Sequence, residues 1–216
     1  MSEFKGFGPG LIDYYLDLEQ HNNREWFLAN RASYDSEVAL PLKALALDLA
    51  ADYAPVKVFR PYRNNRFWPE LPPLNEHASL VANVGSTAVY YLRIDADGML
   101  VNGGSHDLSR DQLALFRTIV ATQDGAAEVR SLLSDAAANG FRLAEANQLK
   151  TAPRGYSKDH PNIDLLRLRS LSLSRHFPPG KWLASRESYE RIVEGWQAVT
   201  PWVTWLRVNV PIAQLN

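Results

Sequence analysis

Ser79-Leu-Val-Ala-Asn-Val-Gly-Ser-Thr-Ala-Val-Tyr-Tyr-Leu-Arg-Ile-Asp-Ala-Asp-Gly-Met-Leu-Val-Asn102 holds three short apolar runs, Ser79 to Val84, Val89 to Asp95 and Met99 to Asn102. They are rich in β-branched and aromatic residues, which pack well on a pleated surface. Gly85-Ser86 and Asp95-Ala96-Asp97-Gly98 separate them, and both joins carry residues that accept tight-turn geometry. Three strands joined by two such turns predict an antiparallel meander. The fold class expected is α+β, with this meander (about residues 79–102) packed by N-terminal, middle and C-terminal helices.

Upstream, the period is helical. Leu11, Tyr14, Tyr15 and Leu18 fall on one face of a helix from Pro9 to about His21. Asn23 is placed to cap a second helix, whose stripe continues through Phe27, Tyr34 and Val38. Pro41 predicts a kink or restart before Leu42, Leu45, Leu47 and Leu49 carry the pattern to Tyr53. Val56-Lys57-Val58-Phe59 then changes the period to that of a strand. Three prolines between Trp68 and Leu74 predict an extended segment without ladder pairing.

Downstream, Ser109-Arg-Asp-Gln112 has the composition of a capping box and opens a helix burying Leu113, Phe116, Ile119 and Val120. Asp124 is read as the cap of the next helix and Gly140 as the residue after its end. Phe141 to Lys150 reads as a strand, Ile163 to Arg169 as a short helix and Leu171 to His176 as a half-buried strand. From an N-cap at Ser185, a last helix aligns Tyr189, Ile192, Val193, Trp196 and Val199, with a restart at Pro201. No repeat and no long linker interrupts the chain, so a single domain, residues 1–216, is expected.

A hydrophobic fraction of 46% and a charged fraction of 22% are ordinary globular values, and the net charge of −1 speaks against a surface built for nucleic acid. There is no cysteine, which removes disulfides, thiolate metal sites and a cysteine nucleophile. No window approaches a membrane span and the N-terminus lacks an apolar run, so a soluble, cytoplasmic protein is expected. His77, His106 and His160 lack metal-ligand spacing, and GxxxxGK[ST], GxGxxG and GxSxG are missing. Neither a metal nor a cofactor is expected.

Three polar clusters remain. Phe59-Arg60-Pro61-Tyr62-Arg63-Asn64-Asn65-Arg66-Phe67 spaces three guanidiniums three residues apart among aromatics. Each offers a planar fork of donors suited to carboxylate or phosphate. A strand would put Arg63 opposite Arg60 and Arg66, whereas a turn would let all three converge. Lys150, Arg154, Tyr156 and His160 form a second cluster around Gly155, with His160 a group able to exchange a proton near neutrality. The third, Asn22-Asn23-Arg24-Glu25-Trp26-Phe27, places amide, cation, carboxylate and aromatic at a helix start.

Taken in order, these clusters resemble a known family. The residues are Asn22 to Phe27; Ala29-Asn30-Arg31 with Tyr34 and Pro41; Phe59-Arg60 to Arg66-Phe67; Tyr90-Tyr91 and Gly103-Gly104. To these are added Leu149-Lys150 to Gly155-Tyr156, Asp159-His160-Pro161 and Leu165-Leu166-Arg167. Together they are similar to the bacterial and lower-eukaryotic proteins filed as domain of unknown function 2461, over nearly the whole chain. The resemblance implies an α+β single-domain protein of uncharacterised activity. Such proteins usually follow Arg-Phe with a lysine-rich run, where this chain has Trp68-Pro-Glu-Leu-Pro-Pro-Leu-Asn-Glu76, and often have Arg-Asp where it has Asn64-Asn65.

Two functional readings stand side by side. In the first, Arg60, Arg63, Arg66, Lys150, Arg154 and Arg24 supply a positive field for a small anionic ligand, phosphorylated compounds included. Tyr62, Trp26 and Tyr156 wall the site and His160 moves a proton. In the second, the protein is a non-enzymatic interaction partner whose arginines pair internally.

Overall fold

The computed structural model describes residues 3–64, 66, 69–143 and 148–211. The elements run α1 (Leu11–Gln20), α2 (Arg24–Ala29), α3 (Arg31–Tyr34), a π-helical turn (Asp35–Ala39), α4 (Leu40–Tyr53) and β1 (Val56–Val58). They continue with β2 (Ala78–Ala82), β3 (Val89–Asp95), β4 (Gly98–Ser105), α5 (Arg110–Val120), α6 (Gln123–Ala138) and β5 (Arg142–Leu143). The last are α7 (Ile163–Leu166), β6 (Leu171–Phe177), a 3-10 turn (Lys181–Ala184) and α8 (Glu187–Asn209). The strands form one antiparallel sheet ordered β1-β2-β3-β4-β6-β5, and the fold is α+β.

The chain falls into two compact units. The first comprises Met1–Val84, Tyr91–Val101 and His176–Glu194; the second comprises Gly85–Tyr90, Asn102–Arg175 and Gly195–Asn216.

In the first unit α1 buries Leu11, Tyr14, Tyr15 and Leu18, the stripe expected from their spacing. Asn23 caps α2 by accepting from the Trp26 N–H at 2.9 Å. The α-helical pattern restarts at Pro41 as expected: a wide π turn precedes it, and α4 begins with Pro41 in its first turn, where its ring has room. Proline has no N–H to offer the Glu37 carbonyl four residues earlier, and that carbonyl accepts instead from the Gly8 N–H at 2.9 Å. On α4, Leu42, Leu45 and Leu49 are buried but Leu47 is exposed, since the helical period carries it to the outer side.

β1 pairs antiparallel with β2 in the register Val56↔Ala82, Lys57↔Val81, Val58↔Leu80, and the Phe59 N–H extends the ladder to the Ser79 carbonyl at 3.0 Å. Directly paired residues share a face. One face carries the buried Leu80, Leu92, Ile94, Met99 and Val101; the other carries Lys57, Phe59, Val81, Tyr91, Arg93, Asp95 and Leu100, all exposed or half-buried.

In the second unit residues 195–209 of α8 bury Trp196, Val199, Trp202, Val203 and Leu206. Gly103 makes room for the side chains of the helix, since a Cβ there would meet the Val199 side chain at 2.4 Å. Gly104, at φ +130°, turns its backbone beside the Leu171 carbonyl, which also accepts from the Trp202 indole at 2.9 Å. The expected restart at Pro201 does not occur: α8 is continuous through it, on a face where Pro201 and Gln197 are exposed and the freed Gln197 carbonyl can meet water. The cap of α6 is Thr122, accepting from the Gly125 N–H at 3.1 Å, whereas Asp124 lies inside the first turn. The capping box of α5 is formed by Ser109 and Gln112 as read from the sequence. Of the strand expected over 141–150, only Arg142–Leu143 and an isolated bridge at Gln148 are formed, with residues 144–147 outside the described residues.

Candidate functional site

The arginine stretch leaves the end of β1 as an arm. Tyr62 bridges Leu74, the Arg63 N–H donates to the Pro73 carbonyl at 2.9 Å, and the Asn75 N–H donates to the Pro61 carbonyl at 2.8 Å. Pro61 has no N–H of its own, which confines the pairing to this short irregular ladder. Asn22 fastens the arm to the corner between α1 and α2. Its amide donates to the Leu74 carbonyl at 3.1 Å and to Glu76 Oε1 at 2.8 Å, and its oxygen accepts from the Leu74 N–H at 3.1 Å. Tyr62 packs edge-on against Phe27 at 5.4 Å, and Trp26 lies against Tyr14 at 5.5 Å. Two clusters separate in sequence, 22–27 and 59–66, are therefore one place in the structure.

Within it, Arg24, Arg60 and Arg66 are exposed, while Trp26, Tyr62 and Arg63 are half-buried. The Arg63 Nε is buried and has no hydrogen-bond partner among the described residues. Phe67 and Trp68, read as flanks of the stretch, lie outside the described residues.

Next to the arm, His77 immediately precedes β2. Burial holds its imidazole below the ordinary range, reinforced by the Arg93 and Arg63 guanidiniums and opposed by Asp95 and Glu76. The two carboxylates are already engaged. Asp95 accepts from Arg93 Nε at 2.6 Å and from the Asp97 N–H at 3.0 Å, and Glu76 accepts from Asn22. A cleft of about 430 Å³ opens beside Arg93 and Asp95, floored by Leu100 and bounded by His176 and Pro178. That volume suits a small ligand.

Under the arm lies a tyrosine cluster. Burial pushes the Tyr34 phenol up to about 12, with Arg31 pulling it down and Asp35 pushing it up. Burial raises Tyr14 and Tyr15 as well, helped by their neighbouring phenols. These hydroxyls stay protonated at any physiological pH, so they offer O–H donors rather than bases.

The remaining sequence-read residues belong to the second unit, and there the geometry is different. His160 Nδ1 accepts from the Asn162 N–H at 3.1 Å, which leaves its other ring nitrogen as the N–H of the neutral form, and its ring meets Tyr156 edge-on at 6.1 Å. Lys150 and Arg154 are exposed. Arg167 secures the loop, donating through Nε to the Leu149 carbonyl at 2.6 Å and through a terminal nitrogen to the Lys150 carbonyl. Arg117 donates to the Leu166 carbonyl at 3.0 Å and, at 3.5 Å, to that of Leu168; burial lowers its pKa.

The residues that sequence reasoning missed are His77, Arg93, Asp95, Tyr91 and Lys57. Strand alternation over 89–95 carried the signal, because it sets Tyr91, Arg93 and Asp95 on one face and gives that face two charges.

A model of conserved hypothetical proteins, DUF2461, matches residues 10–205. The chain belongs to this family. No functionally curated protein and no solved structure matches it. Several family-like residues now have a physical role: Asn22 and Asn23 fasten and cap, Gly103 admits α8, Gly104 admits the backbone of β6, and Arg167 holds the loop at Leu149. Among the described residues, no helix is long and apolar enough to cross a membrane.

Proposed function

We propose that the protein binds a small anionic ligand, of which phosphate esters are the best-suited class, on the polar sheet face where Arg63, His77 and Arg93 meet. The observation that carries this is the Arg63 Nε, a buried charged donor with no partner among the described residues, in a place where the nearby carboxylates Asp95 and Glu76 are already occupied. A guanidinium donor removed from water and left unmatched is costly, and an anion would relieve that cost. Arg60 and Arg66 lie further along the same arm, and Arg24 at the start of α2, as additional cations. His77, neutral in the free protein, is the group best placed to exchange a proton with the ligand. In the second unit, Lys150, Arg154, Tyr156 and His160 remain candidates for a contribution of their own. A bacterial, cytoplasmic setting is part of this reading, in keeping with the absence of cysteine from the sequence.

The test is thermal stabilisation by inorganic phosphate and sulfate, measured on the wild type and on Arg63→Ala and Arg93→Ala. Stabilisation of the wild type that falls at least tenfold in apparent affinity in both variants is expected. Equal stabilisation of all three proteins would refute the reading.

A further inference from the structure

Three side chains on the polar sheet face, Phe59, Tyr91 and Lys57, are unused by a bare anion. Phe59 is 40% exposed although it is a large apolar ring, and Tyr91 meets its edge at a centroid distance of 6.4 Å. The Lys57 ammonium stands over the Phe59 ring at 5.6 Å, and Arg93 follows Tyr91 on the same face of β3. One exposed phenylalanine is unremarkable on any protein. An aromatic pair on a strand face, flanked by two cations, is the arrangement on which planar heteroaromatic rings stack.

The platform is also rigid. The Phe59 N–H is bonded to the Ser79 carbonyl, and β3 is an inner strand with neighbours on both sides. Its distance from the anion centre follows from the register. Ser79 lies opposite Phe59, and His77 is two residues back, just before β2 begins, a step of at most about 7 Å in extended backbone. Tyr91 and Arg93 are separated by the same step. That span matches the separation between the ring of a nucleotide and its phosphate.

We propose that the ligand is a mononucleotide, its base stacked on Phe59 and Tyr91 and its phosphate held by Arg63 and Arg93. This rests on the anion-site reading for the phosphate and adds the ring. A single-stranded nucleic acid would use the same stacking, but it needs a long cationic track, and a chain of net charge −1 with Glu70 and Glu76 after the arm does not supply one.

The experiment is titration calorimetry at fixed ionic strength with four probes: inorganic phosphate, adenosine monophosphate, adenosine and a ten-nucleotide single strand. Wild type is expected to bind adenosine monophosphate roughly 5- to 150-fold more tightly than phosphate, the range a stacked base supplies. Phe59→Ala and Tyr91→Ala should each shrink that ratio while leaving phosphate binding in place, and Phe59→Trp should preserve it. If phosphate binds and the nucleotide binds no better, the nucleotide assignment is overturned and the anion site survives. If adenosine binds but phosphate does not, the anion reading is overturned. If neither nucleotide nor phosphate binds, both are. Much tighter binding of the single strand, falling steeply with salt, would overturn the assignment to a mononucleotide.

Discussion

Arg63 in the first unit and Arg167 in the second hold the same functional group in opposite states. Arg167 spends its donors on the Leu149 and Lys150 carbonyls, and Arg117 beside it does likewise with Leu166 and Leu168. Arg63 keeps a buried Nε that nothing in the described residues accepts from. A guanidinium whose donors are spent is part of the scaffold. One whose donor is buried and idle has a cost that folding does not recover, and that asymmetry points to a ligand.

The contrast is broken most directly by removing each arginine in turn. Arg63→Ala should lose about 1.5–3 kcal/mol of anion binding, the worth of a charge-assisted hydrogen bond, with thermal stability unchanged or slightly raised. Calorimetry with phosphate and a melting curve on the same sample test both halves. Arg167→Ala should do the reverse, lowering stability by about 2 kcal/mol in urea unfolding while phosphate affinity holds. Loss of anion binding in Arg167→Ala but not in Arg63→Ala would invert the assignment. Asn22→Ala removes three hydrogen bonds that fasten the arm, and should cost about 1–2 kcal/mol of stability together with a several-fold weaker response to phosphate.

His77 sharpens the comparison through pH. Its pKa is lower in the folded protein than in the unfolded chain, so the unfolded state takes up the proton first as pH falls. Stability tied to neutral His77 is present above about pH 6.5 and declines as pH drops through that value towards the folded pKa. Denaturant midpoints from pH 7.5 to 5 should flatten in His77→Gln. A bound phosphate favours the imidazolium, so binding near pH 6 should take up protons, seen as a dependence of the binding heat on the buffer. The smallest effect belongs to Arg130→Ala. Its ion pair with Asp164 at 2.6 Å has about half of each side chain exposed, and loss should be under about 1 kcal/mol.

Periodic patterns made the scaffold legible. The stripe of α1, the caps at Asn23 and Ser109 and the strand Val89–Asp95 all follow from residue spacing and short-range hydrogen bonding. What escaped depended on neighbours distant in sequence. Thr122 could not be preferred to Asp124 without the backbone geometry of the preceding turn, and α8 passes Pro201 because packing on its buried face outweighs one missing hydrogen bond. The site was half legible. Spacing alone marked Arg63 and the 22–27 cluster, but Asn22 joins them through Leu74 and Glu76, which lie 52 and 54 residues further along the chain. His77 looked like an isolated histidine because Arg93 and Asp95 reach it only through strand pairing.

The alternation of β3 also bears on how this protein can change. Tyr90, Leu92 and Ile94 are locked in the core, and the residues between them are not. Positions 91 and 93, with 57 on β1 and 59 just beyond it, can therefore be rewritten without disturbing what keeps the chain folded. A ligand preference of the kind proposed and the stability of the interior can therefore evolve on separate schedules.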